Sequence, residues 1–179
     1  MGEGIPMTNS TDVRQADAAH GREMDPRLFR EVMGGFASGI VVVAGMVADE
    51  PVGLTCQSFT SLSMDPPLIA FCPALSSVTW RRIRPTGAFC VNVLAAEQRD
   101  VSGLFGQRRD DKFEQVPWRR GVSGAPLLDG AAAHIECEIA EIHPGGDHEI
   151  VVGRVVALTG DAERMPLLYH RGRYGVLAP

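Results

Sequence analysis

An antiparallel β-barrel with helices packed on its outside is the fold class this sequence predicts. About seven apolar, strand-like runs are each closed by Gly, Pro or Asp, and only three segments carry helical periodicity. The two kinds of element do not alternate, which argues against a doubly wound parallel sheet. In "AHIECEIAEI", Ile135, Cys137, Ile139 and Glu141 alternate with His134, Glu136, Glu138 and Ala140. That is the pattern of a barrel wall with one wet face.

The elements follow in order. Residues 1–24 are polar and small, without helical or strand period, and are expected to be a disordered tail before a domain over 25–179. Asp25 caps a predicted helix with Pro26 at its first position. Leu28, Phe29, Val32, Met33 and Phe36 share one face, and Gly39 is expected to end it. "IVVVAGMV" is a β-branched strand closed by the turn "ADEP". "VGLTCQSF", "PLIAFCP", "AFCVNVL", "AHIECEIAEI" and "HEIVVGRVVALTG" read as further strands. Two short helices interrupt them: "SSVTWRRIR", stopping before Pro85, and "AAEQRDVSGLF", stopping at Gly106.

Composition narrows the function. A chain of 179 residues with 45% hydrophobic content suffices for one well-filled domain. A net charge of −5 and the lack of any Lys/Arg cluster longer than two residues argue against nucleic acid as the main partner. No apolar run reaches the length of a membrane span. The N-terminus lacks the apolar centre of a signal peptide, so a cytoplasmic protein is expected. Cys56, Cys72, Cys90 and Cys137 form no C-x-x-C pair and no zinc spacing, and read as reduced, mostly buried thiols. His143 and His148 stand near Asp147 and Glu149, but "HPGGDHE" reads as a Pro-Gly-Gly turn without regular ligand spacing, so no metal is expected. Dinucleotide and P-loop glycine patterns, the G-x-S-x-G elbow and zinc-enzyme signatures are absent.

One stretch is unusual. From Gly53 to Trp80 the only charged residue is Asp65, while small hydroxyl side chains crowd the segment. The strand "GLTCQS" offers backbone amides, the Gln57 amide and the hydroxyls of Thr55 and Ser58, groups that suit the polar edge of a flat heterocycle. Ser76, Ser77 and Thr79 then open a helix, where unpaired amides and hydroxyls can hold a phosphate; plain helix capping is the competing explanation. A ring-binding strand followed by a phosphate-binding helix suggests a flavin nucleotide.

At these residues the chain resembles the flavin reductase family with the FMN-binding split-barrel fold, the reductase partners of two-component flavin monooxygenases. The similarity rests on "FREVMGGFASGIVVVAG", "PVGLTCQSFTSLSMDPPLIAFCP", "SSVTW", "GAFCVNVL", "LFGQRRDDKFE", "GGDHEIVVGRV" and "LLYHRGRY". It implies a mainly β, antiparallel split barrel of Greek-key type with a few flanking helices. It also implies an NADH-dependent flavin reductase that passes reduced FAD or FMN to a separate monooxygenase, and a homodimer. NADPH is less expected than NADH. By the same resemblance Gly53, Leu54, Thr55, Cys56, Gln57 and Ser58 hold the isoalloxazine, chiefly through backbone and Ser58. The family often has Asn where this chain has Gln57. Cys72, Pro73, Ala74, Ser77, Val78 and Thr79 hold ribityl and phosphate, and Phe105, Lys112 and Phe113 line the phosphate or adenine side. Asp147 and His148 belong to the nicotinamide site, with His148 the key side chain, and Arg173 and Tyr174 close over the pyridine nucleotide. Two rivals share the barrel: a non-catalytic flavin carrier or sensor, and an oxidase of the pyridoxamine-phosphate type, for which the phosphate segment is short of basic residues.

Overall fold

The computed structural model of the chain describes residues 24–177, so all of the expected tail except Met24 lies outside the described residues. Helix α1 (Pro26–Met33) starts as the sequence predicts, with the Asp25 side chain accepting from the Arg27 amide at 2.8 Å. It ends sooner. The Gly34 amide donates to the Arg30 and Val32 carbonyls, and a second glycine follows, each costing a helix about 1 kcal/mol. Gly39 belongs instead to β1 (Ser38–Gly39), where Ser38 pairs with Tyr169 and Gly39 with Leu168.

The remaining elements are β2 (Val41–Val47), β3 (Glu50–Cys56), β4 (Thr60–Met64), β5 (Pro67–Phe71), α2 (Val78–Ile83) and β6 (Ala88–Val93). Then come α3 (Arg99–Phe105), β7 (Trp118–Arg120), β8 (Pro126–Leu128), β9 (Ala133–Gly145), β10 (His148–Gly160), β11 (Leu168–His170) and β12 (Arg173–Gly175). Seven strands form one antiparallel sheet in the order β3-β2-β6-β9-β10-β5-β4. Its inner face wraps one cluster that draws on β2, β3, β5, β6, β9 and β10 and includes Val43, Phe71, Phe89 and Cys137. The end strands β3 and β4 are not paired with each other, which leaves the curled sheet split.

Strand β2 explains its own unbroken apolar run. Val41 and Val43 face the inner cluster, whereas Val42 and Ala44 face a second cluster with Phe105, Phe113, Leu128 and Leu167. Successive side chains of a strand point to opposite sides, so a strand covered on both must be apolar throughout. The alternation expected of β9 holds for Ile135 and Cys137 but fails at Glu136, which is buried. Its Oε2 accepts from the Ser123 amide and hydroxyl, both at 2.7 Å, so the charge is hydrogen-bonded rather than solvated. Strand β3 stops at Cys56, leaving Gln57, Ser58 and Phe59 beyond the predicted strand's end. Strands β1, β4, β7, β8, β11 and β12 were not expected from the sequence; they are short and owe their extension to pairing partners.

The β9–β10 hairpin positions the site. Pro144 and Gly145 are the last residues of β9, not part of a wider turn, and Gly145 pairs with His148. Only Gly146 and Asp147 make the loop, with Gly146 at φ +74° as the first residue of a type II′-like turn requires.

Candidate active site

A cleft of about 410 Å³ opens where β3, the start of α2 and the segment after α3 meet. Leu54, Thr55, Ala74, Ser77, Val78, Thr79, Phe105 and Lys112, all expected site residues, line it. Ser76, Gln107, Arg108 and Arg109 line it too. Ser77 caps α2, its Oγ accepting from the Trp80 amide at 3.1 Å. Plain capping therefore accounts for that hydroxyl's lone pair, while those of Ser76 and Thr79 have no partner among the described residues.

The "CPA" segment is tied down from two sides. Ser58 Oγ accepts from the Cys72 amide at 2.8 Å and donates to the Cys72 carbonyl at 3.0 Å, so it turns towards Cys72. On the other side the β9–β10 turn joins the same segment. Ala74 forms a β-bridge with His148, the Leu75 amide donates to the Asp147 carbonyl at 2.9 Å, and the Glu149 amide donates to the Pro73 carbonyl at 3.0 Å. Segments more than seventy residues apart in sequence thus put His148 directly beside a residue of the cleft wall.

His148 is half-exposed, with Nδ1 at 2.7 Å from Asp147 Oδ1. A carboxylate only accepts, so Nδ1 carries the proton and Nε2 is left without a partner among the described residues. The same bond holds the Asp147 carboxyl below its ordinary range.

Residues 33–178 match the family described as "Flavin reductase like domain". The chain belongs to that family. It is 45% identical, over 88% of its length and 85% of the relative's, to the reductase subunit HsaB of a flavin-dependent monooxygenase from Mycobacterium tuberculosis. It is 39% identical to an NADH-dependent FAD reductase of Streptomyces globisporus, covering 84% of this chain and 85% of that one. A solved structure of the NADH:FAD oxidoreductase SgcE6 from Streptomyces globisporus C-1027, in complex with NAD and FAD fragments, superposes with a TM-score of 0.83 at 38% identity, over 88% of this chain and 98% of the other.

The remaining expected residues of this flavin reductase are spread more widely. Gly53, Cys56 and Pro73 are buried, and a Cβ at Gly53 would lie 2.8 Å from Phe105 Cε1. Phe105 and Phe113 meet edge to face at 5.0 Å; Phe113 lines a neighbouring acidic cleft with Glu50, Asp110, Asp111 and Glu114. Gln57 is exposed beyond β3, and Cys72 is half-buried under Ser58. Lys112 lies at 4% exposure, its Nζ donating to the Gly53 carbonyl at 3.2 Å and the Phe105 carbonyl at 3.1 Å, and burial pulls its pKa down. Arg173 and Tyr174 line a separate cleft of about 470 Å³ with His170 and Arg171. Tyr174 Oη lies 3.1 Å from Ser102 Oγ, and Arg99 stacks over its ring.

Three features of the site had no reading in the sequence. Arg108 adds positive charge to the cleft beside Asp110 and the Arg109–Asp111 ion pair, Ser102 accepts from Thr55 Oγ1 at 2.7 Å through its carbonyl, and Glu149 joins β10 to α2. The dipeptide "RR" was the one legible signal among them.

Proposed function

We propose that the chain is the NADH-dependent reductase component of a two-component flavin-dependent monooxygenase, reducing FAD by hydride transfer from nicotinamide. The observation that carries this reading is the bridge between Ala74 and His148, which sets a second binding turn against the wall of the cleft. Ring-to-ring hydride transfer needs two adjoining sites, and this junction supplies them. The names of the Mycobacterium tuberculosis and Streptomyces globisporus relatives, the latter solved with NAD and FAD fragments, support the same assignment.

The residues fit a flavin nucleotide. The cleft's volume lies within the range of about 300–1,000 Å³ usual for such ligands. Its walls mix apolar Leu54, Val78 and Phe105 with the free hydroxyls of Ser76 and Thr79, and Arg108 supplies a cation for phosphate. When bound, the flavin supplies the hydride acceptor at its N5. The chain's own task is to bind, orient and exclude water. Strand β3 presents its backbone to the ring edge, and the absent Cβ of Gly53 lets Phe105 close up behind it. His148, fixed by Asp147, offers Nε2 to the incoming nicotinamide nucleotide, and Arg173 with its neighbours offers charge to that nucleotide's phosphates. The transfer itself needs no protein acid or base, so the Asp147–His148 pair serves binding.

The reduced flavin passes to a separate oxygenase, and the chain works as a homodimer. Among the described residues no helix is long and apolar enough to cross a membrane.

Purified protein is expected to oxidise NADH only when free FAD is added, followed as loss of reduced-nicotinamide absorbance. His148→Ala should lower kcat/KM for NADH about five- to thirty-fold, the effect of one lost contact, with flavin affinity little changed. A flavin carrier would show binding without NADH oxidation, and unaltered NADH kinetics in His148→Ala would remove that residue from the site.

A further inference from the structure

Glu149 follows His148 and is buried at 8% exposure, yet the binding roles above leave its charge unused. Its Oε2 accepts from Trp80 Nε1 at 2.6 Å and its Oε1 from Arg84 Nη1 at 2.6 Å. Trp80 lies within α2 and Arg84 directly follows it, so the first turn of β10 is fastened to the helix whose opening residues wall the cleft. Trp80 is 1% exposed and packs edge to face on Phe71 at 5.3 Å, which leaves the indole little room to move. The backbone bonds from Glu149 to Pro73 and from Leu75 to Asp147 complete the fastening. A buried carboxylate is costly to desolvate unless its hydrogen bonds are made, and here both oxygens are bonded, one to a cation. Arg84 also cancels a negative charge that would otherwise stand beside the approach of an anionic nucleotide.

We propose that Glu149 is a positioning residue for hydride transfer: it holds the turn carrying His148 at a fixed place against the cleft wall formed by Ala74 and α2. The proposal rests on the reading that the cleft takes the flavin and the turn the nicotinamide. Glu149 acts only through the groups it holds. Its loss therefore disturbs alignment of the two rings more than the affinity for either, and a displacement of about 1 Å can cost on the order of a hundredfold in rate.

Glu149→Gln keeps the size and an acceptor for Trp80 but sets a donor against Arg84. Arg84→Met removes only the partner whose side chain is 51% exposed, and stands in should Glu149→Gln fail to fold. The measurement is anaerobic stopped-flow reduction of FAD at saturating NADH, with protiated and 4-deuterated NADH. Glu149→Gln is expected to slow hydride transfer about tenfold and to raise the observed isotope effect, with the FAD dissociation constant within about threefold of wild type. Arg84→Met should show a smaller loss in the same direction. Wild-type transfer rates in both variants, with only the melting temperature lowered, would overturn the proposal. His148→Ala run in parallel separates the two levels. If it leaves NADH kinetics unchanged, the functional reading fails; if it impairs them while Glu149→Gln and Arg84→Met transfer normally, only the positioning role fails.

Discussion

Lys112 holds its ammonium against two backbone carbonyls, with no carboxylate in hydrogen-bonding contact among the described residues. Burial lowers its pKa from the ordinary 10.5, so between the folded value and 10.5 the unfolded chain binds more protons than the folded one. Stability contributed at this position therefore rises with pH across that window and is smallest below it. Lys112→Met should lose this dependence: the melting-temperature difference, variant minus wild type, should fall as pH is raised from 8 towards ~10.5. A difference constant over that range would show that Lys112 does not titrate against burial. The family resemblance implies a flavin-lining role for Lys112, but its bonds to Gly53 and Phe105 were not legible in the sequence. Backbone carbonyls carry no residue identity, so a side chain that serves them leaves no pattern. The same holds for Ser58, whose hydroxyl answers to the Cys72 backbone.

Among the elements, α2 is too short to be stable alone, at six residues, and depends on Ser77 at its start and on Glu149 at its flank. The hydroxyls free to meet a ligand are those of Ser76 and Thr79. Ser76→Ala with Thr79→Val should weaken FAD binding by roughly 1–3 kcal/mol, the worth of two hydrogen bonds partly replaced by water. Flavin fluorescence titration would read this, and an unchanged affinity would place the phosphate at Arg108 instead. Strand β2 was legible because burial on both faces demands its apolar composition, and β10 because its run of β-branched residues reads as a strand although much of it is half-exposed or exposed. Strand β4, "TSLSM", was not, because it lies at the sheet edge with most of its residues exposed and is extended only by pairing with β5. The bond between Glu149 and Trp80 joins residues sixty-nine positions apart, a separation that no local pattern spans.

For the molecule as a whole, the exposed apolar side chains of Leu62, Met64, Val156 and Leu158 fall on β4 and β10, two strands of the same sheet. Large apolar side chains left in water by one subunit are what a second copy covers, and a stable pair buries about 1,200–2,000 Å² in total. Sedimentation equilibrium should give twice the chain mass, and Leu158→Lys together with Met64→Lys should shift it towards the monomer. A monomeric wild type at micromolar concentration would refute the homodimer. The antiparallel β class and the places of the main strands along the chain follow from hydrophobic pattern and turn residues, whereas their order in the sheet carries no local signal. The cleft depends on which distant loops meet, and the sequence conveyed that only through its resemblance to relatives.

The two-residue loop Gly146–Asp147 has a consequence for how this scaffold can diverge. Loops are ordinarily the places where chains gain or lose residues without penalty, but here neither neighbour can absorb a change in length. His148 is paired with Gly145 on one side and bridged to Ala74 on the other. One added residue would shift β10 by a single step, and a single step turns every side chain of a strand to its opposite face. Imidazole and Glu149 would exchange directions, and the core valines of β10 would turn outward. Length variation in descendants of this chain is therefore expected at other loops, such as the exposed tip around Val122, while the hairpin at the cleft keeps its count.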